Sequence, residues 1–151
     1  MAAFKPVTRS TIDHFRSRIQ KIDPTLPPLW GKMSAAQMFG HVRAYTECAL
    51  GIRTMTYRGN PLVRWFARRW FSSSVGFPKG MPSFRILFPD NLGDAEQERQ
   101  LLFDRLVEFV AALEANPERM EMNEMMGELP LSEWAVYNGK HLDHHLRQFG
   151  V

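Results

Sequence analysis

A chain of 151 residues, 44% hydrophobic and 23% charged, can build one globular domain with a buried core and is too short for two comfortable ones. Its one cysteine excludes an internal disulfide and a cysteine-rich zinc site, and no apolar run approaches the roughly 18 residues of a membrane span. The net charge of +3 is modest but uneven: Arg53, Arg58, Arg64, Arg68, Arg69 and Lys79 fall between Gly51 and Gly80 with no acid among them. Such a stretch faces phosphate or an anionic surface unless its counter-charges come from elsewhere in the fold. No nucleic-acid-binding motif accompanies it, and it is read as a solvated face. The opening "MAAFKPVTRS" has no long apolar run of a secretory signal, so the expected location is the cytoplasm.

In chain order, residues 11–21 predict a first helix, with Ile12, Phe15 and Ile19 at helical spacing. The prolines of "DPTLPPLWGKM" end it. Ser34, with Gln37 three residues on, forms a capping-box pattern that starts a second helix. Met38, Val42, Tyr45, Cys48 and Ala49 give that helix one apolar face, and His41 lies on it. Residues 60–71 predict a short amphipathic helix with Pro61 in its first turn and arginines between Leu62, Trp65, Phe66 and Trp70. The Gly- and Pro-rich stretch that follows predicts a long crossing loop, briefly extended over 84–88. That loop is too long for a minimal connection and too apolar for a solvated one, so it is expected to border the functional site.

Residues 94–115 show the clearest helical period, through Leu102, Leu106, Phe109, Val110 and Leu113. Residues 116–130 read as a connector with a helical turn. Ser132 is expected to cap a last helix that runs to about Phe149. Gly139 inside that helix costs up to about 1 kcal/mol relative to Ala, which predicts a close backbone approach or a packing constraint there. Four substantial helices without strand alternation predict an all-α bundle, one domain over residues 1–151. A long crossing connects its second and third substantial helices.

Three of the five histidines lie within residues 141–145. His141 and His145 are four apart, so on a helix they project from one face and offer two imidazoles to one ion. His41, which interrupts the apolar stripe of the second helix, is the expected third ligand; bundles commonly build metal sites from facing helices. Three neutral imidazoles suit Zn, Ni, Cu or Fe and leave a coordination position open. Asp143 lies off that face and is a poor ligand. His144, Gln37 and Glu47 are candidate outer-shell groups, and Trp30, Tyr45, Trp134, Asn138, Phe84 and Phe88 are candidates to line a pocket.

Two segments, "WGKMSAAQMFGHV" (30–42) and "LPLSEWAVYNGKHLDHHLRQFG" (129–150), resemble the DinB-like superfamily of metal-binding helical bundles. The likeness is to a branch of unknown function that ends in a "KHLDHHLRQFG"-like stretch. The resemblance implies a DinB-like four-helix bundle holding a divalent metal, zinc or nickel, on His41, His141 and His145. Many relatives carry Glu where this chain has Gln37, so a carboxylate base at that position is not available here. Characterised relatives include S-transferases that use bacillithiol or mycothiol, and others are suspected hydrolases. The expected function is therefore metal-dependent activation of a water or thiol toward a small-molecule substrate, itself a thiol in the transferase case. A homodimer is compatible with it, and no nucleic-acid or membrane partner is signalled. The alternative is a non-enzymatic, metal-stabilised interaction module, with "PLVRWFARRWF" as its contact surface.

Overall fold

The computed structural model describes residues 4–151. In order, the elements are helices α1 (Ile12–Gln20), α2 (Ala35–Ala49) and α3 (Pro61–Phe71), a 3-10 turn (Arg85–Leu87), helix α4 (Ala95–Ala115), strands β1 (Met120–Asn123) and β2 (Gly127–Pro130), and helix α5 (Leu131–Gln148). Helices α2 and α4 form the most extensive pair. Helix α5 packs on both, and α1 closes the bundle against α4 and α5. The core is shared among their inward faces: Phe15 and Ile19 from α1, Phe39 and Val42 from α2, Leu102 and Phe109 from α4, Trp134 and Leu146 from α5. The helical bundle expected from the sequence is the one observed.

Local chemistry explains where the helices start. Ser34 accepts the Gln37 N–H at 3.2 Å while the Gln37 side chain accepts the Ser34 N–H at 2.9 Å. Asp94 and Gln97 repeat this capping box at α4, so each pair satisfies amides that the helix leaves unpaired. Helix α3 uses Asn60, whose Oδ1 accepts the Val63 N–H at 2.9 Å, with Pro61 at its first turn. Helix α5 departs from expectation. It begins at Leu131 after Pro130, without a side-chain cap. The Leu131 and Ser132 amides instead donate to the carbonyls of Arg119 and Pro117, each at 3.0 Å.

Two local expectations are corrected. The connector 116–130 is an antiparallel hairpin, in register Met120 with Pro130 and Asn123 with Gly127, rather than a helical turn. Its Glu, Met and Asn residues carry little strand propensity; Gly127 supplies the positive φ of +73° that the turn requires. Residues 84–88 contain the 3-10 turn instead of a continuous extended run; only Phe84 and Phe88 at its ends are extended.

Two packing features position the site. A Cβ on Gly139 would stand 1.9 Å from the Lys5 carbonyl oxygen, so glycine lets the segment before α1 lie directly on α5. The Val7 N–H donates to the Ala135 carbonyl there at 2.9 Å. Beneath the crossing loop, buried Glu47 accepts from Arg43, Arg53 and Arg105, and Arg43 also pairs with buried Glu98. This network ties α2 to α4, and Arg53 reaches the Ile86 carbonyl at 3.4 Å, next to the residue that orients the first histidine of the site.

Candidate metal centre

Helices α2 and α5 face each other so that His41 meets His141 and His145. The Nε2 of His141 lies 3.0 Å from that of His41 and 3.2 Å from that of His145. One ligand nitrogen from each ring lies within 4.8 Å of the other two, close enough for the three to hold a metal ion. Two imidazole nitrogens on a tetrahedral zinc, each about 2.0–2.1 Å from it, stand about 3.3 Å apart. The separations to His141 match that spacing.

The remaining ring nitrogens set the tautomers. His41 Nδ1 donates to the Leu87 carbonyl at 3.1 Å. His145 Nδ1 donates to Gln148 Oε1 at 2.8 Å; the Gln148 amide nitrogen in turn donates to the Trp30 carbonyl at 2.9 Å. Both Nδ1 atoms therefore carry the proton, and both Nε2 lone pairs point toward His141. Lone pairs meeting at this distance need a proton or a cation between them. The His141 Nδ1 is buried without a hydrogen-bond partner. Burial dominates the electrostatics: it pushes His41 down to about 4 and His145 to about 3, and His141 well below the usual imidazole value, with the neighbouring rings adding to the effect. At neutral pH the cluster is uncharged and ready to donate, as metal ligation requires.

Two cavities flank the cluster. One, of about 430 Å³, is lined by His141 together with Tyr45, Trp70, Phe77, Phe84 and Leu87 among others. The other, of about 560 Å³, is lined by His144, His145 and Gln148 with Trp30, Lys32, Gln37 and Phe88. The crossing loop contributes to both walls, and Met81 borders both cavities. A larger hollow, about 920 Å³, lies elsewhere, along α3 between Arg64, Arg68 and Glu133, and no histidine lines it.

The other sequence candidates divide. Tyr45 and Phe84 line the first cavity; Trp30 and Phe88 line the second, with the Phe88 ring 5.2 Å from His41. Trp134 is corrected to a core residue: it is fully buried behind Tyr45, and its indole N–H donates to the Glu121 carbonyl at 3.2 Å. Asn138 also lines neither cavity; buried against α2, it accepts from the Thr46 hydroxyl at 3.4 Å. Gln37 and Glu47 make no hydrogen bond to the three rings, since the capping box takes the Gln37 oxygen and arginines take both Glu47 oxygens. His144 borders the second cavity, its ring 5.1 Å from that of His145 and 6.0 Å from that of Trp30. Asp143 pairs with Arg18 and Arg147. The partners missed by sequence reasoning are the Leu87 carbonyl, which only the fold brings to His41, and Gln148, whose i+3 spacing from His145 was a readable signal.

Among the described residues, no helix is long and apolar enough to cross a membrane. No curated protein and no solved structure matches the chain. A family model described as the DinB superfamily matches residues 8–149, a span that takes in helices α1 to α5 of the described residues and the three clustered histidines. The chain belongs to the DinB superfamily.

Proposed function

We propose that this protein is a metal-dependent enzyme whose His41, His141 and His145 hold one divalent ion, zinc or nickel, and that a small molecule reacts beside it with an activated water or thiol. The observation that carries this reading is the meeting of three neutral Nε2 atoms at metal-chelating separations. The donor set is all imidazole, which suits borderline ions rather than calcium or magnesium. Three protein ligands leave a position open. A divalent ion there supplies a Lewis acid that lowers the pKa of a water or thiol.

The chain's own residues do the rest. Leu87 and Gln148 hold two of the rings by their Nδ1 protons. His144, half-buried at the second cavity, has its pKa lowered chiefly by burial, so its imidazole is neutral at pH 7 and able to take a proton from the nucleophile. No carboxylate competes for that role: Asp143 and Glu47 are both committed to arginines.

The test is turnover of a panel of esters, amides and thiol–electrophile pairs by zinc-loaded, nickel-loaded and chelator-stripped protein, with His41→Ala alongside. The reading expects activity that disappears on stripping, returns with metal and is absent from the variant. Equal turnover by wild type and His41→Ala contradicts it.

A second reading, an interaction module braced by the metal, is favoured by the outer face of α3, where Leu62, Trp65 and Phe66 are 75%, 62% and 65% exposed. A Leu62→Ser/Trp65→Ser/Phe66→Ser variant separates the two: loss of a self-association or pull-down partner with metal chemistry intact supports the module, and no effect on association counts against it.

A further inference from the structure

The two cavities beside the histidine cluster differ in chemistry, and the difference says what the site accepts. The cavity on the His145 side carries a cationic and several polar side chains, Lys32, Gln37, His144 and Gln148, among apolar ones such as Trp30 and Phe88. The cavity on the His141 side has no Asp, Glu, Lys or Arg among its described lining residues. Its walls are Trp70, Phe71 and Phe77 on one side and Met55, Phe84 and Met125 on others. The polar side chains that line it bring no formal charge of an acid or an ammonium; the Tyr45 hydroxyl is buried without a hydrogen-bond partner and can orient a neutral polar atom of a ligand. Asn123 Oδ1 accepts the Met125 and Met126 amides at 3.0 and 3.1 Å. The nearby buried cation, Lys140, does not line this cavity; its ammonium donates to the carbonyls of Trp70, Phe71 and Ser73 at 2.7, 3.3 and 3.2 Å. A charged ligand in this cavity would lose its hydration and find no counter-charge.

From this arrangement we infer that the His141-side cavity is a substrate subsite for a neutral ligand with an aromatic or alkyl body, whose reactive end meets the histidine cluster at His141. The volume of about 430 Å³ falls within the range of small-molecule pockets, roughly 300–1,000 Å³. Met55, Met81 and Met125 give the wall flexible, polarizable side chains that adapt to different apolar shapes. A polar reactant then approaches from the His145 side, where Lys32, Gln37 and His144 line the wall. The inference deepens the proposed function and rests on it for the word substrate; the apolar subsite itself does not depend on metal.

Two probes test it on the full chain. The neutral fluorophore N-phenyl-1-naphthylamine is titrated into metal-free protein, wild type and the variants Phe84→Arg and Met125→Arg, with circular dichroism as the check on folding. Cobalt-loaded protein is titrated with ethanethiol, butanethiol, hexanethiol and the charged 3-mercaptopropionate, each read by its sulfur-to-cobalt absorption. The subsite predicts saturable dye binding that weakens at least tenfold in whichever variant folds. It also predicts thiol affinity that rises about fourfold per added methylene, with 3-mercaptopropionate at least tenfold weaker than butanethiol. Dye binding that ignores both substitutions places the dye elsewhere, for instance on the exposed face of α3, and overturns the inference. Thiol affinity independent of chain length overturns it as well. Failure to bind cobalt sinks the metalloenzyme reading instead, and the dye titration still decides the subsite.

Discussion

Gln148 shows how much of the centre depends on a residue that cannot itself ligate. It accepts the His145 Nδ1 proton and donates to the Trp30 carbonyl, so it fixes one ring and ties it to the loop before α2. Outer partners of this kind commonly contribute 10- to 100-fold in metal affinity. Gln148→Ala is therefore expected to weaken zinc binding by about 10- to 100-fold in calorimetric titration while leaving stoichiometry at one. Unchanged affinity would mean that the bundle alone orients His145. The same burial has a consequence for acid stability. His41 and His145 titrate near 6.5 when unfolded but at about 4 and about 3 when folded. Between those values the unfolded chain binds protons that the folded chain refuses, so stability falls as pH falls. Metal-free protein should thus be equally stable at pH 8 and pH 7 and lose roughly 3 kcal/mol from His41 alone between pH 6.5 and 4. Urea melts across that range measure it; a flat profile would place the rings in water.

At the scale of elements, α5 carries most of the construction. One face presents His141 and His145 to α2, while Gly139 admits the segment at residues 4–7. Gly139→Ala gains helix propensity but sets a methyl against the Lys5 carbonyl. The clash should win, destabilising the protein by about 1–3 kcal/mol, the usual cost of overpacking, as read from the denaturation midpoint. Stabilisation would show that the segment lifts away at no cost. The exception to helical patterning was visible in the sequence because glycine is unfavourable there. So were the helices themselves, since apolar residues at three and four, Ser34 with Gln37, and Asn60 with Pro61 are local signals. The hairpin was not legible, because the alternation in "RMEMNEMMGELP" runs over only about four residues per strand, its Met, Glu and Asn carry little strand propensity, and it is held by packing against α2 and α5. The cap of α5 was misassigned to Ser132 for a related reason: its first amides are satisfied by carbonyls from residues 117 and 119, which only the folded hairpin brings there.

For the molecule as a whole, the histidine cluster joins segments 100 residues apart in sequence, so an ion bound there links α2, α5 and, through Leu87, the crossing loop. That linkage makes the ion a stabiliser of the fold. Free zinc at 100 times its dissociation constant should raise the melting temperature by about 5–10 °C in a chain of this size, and a chelator should reverse it. His41→Ala should show no such shift; a full shift in that variant would put the ion elsewhere. The i, i+4 pair His141 and His145 was readable from spacing, and His41 from its place on an apolar stripe. Trp134 and Asn138 are buried in the bundle and line neither cavity beside the cluster, because helical phase says which face points inward, not whether the space there is core or cavity. The central claim, one ion on three imidazoles, is tested most directly by X-ray absorption on zinc-loaded protein prepared without a polyhistidine tag. The account predicts one zinc per chain with three imidazole nitrogens at about 2.0–2.1 Å and one further light-atom ligand. A spectrum with fewer than three imidazole ligands, or one unchanged in His41→Ala, would contradict it.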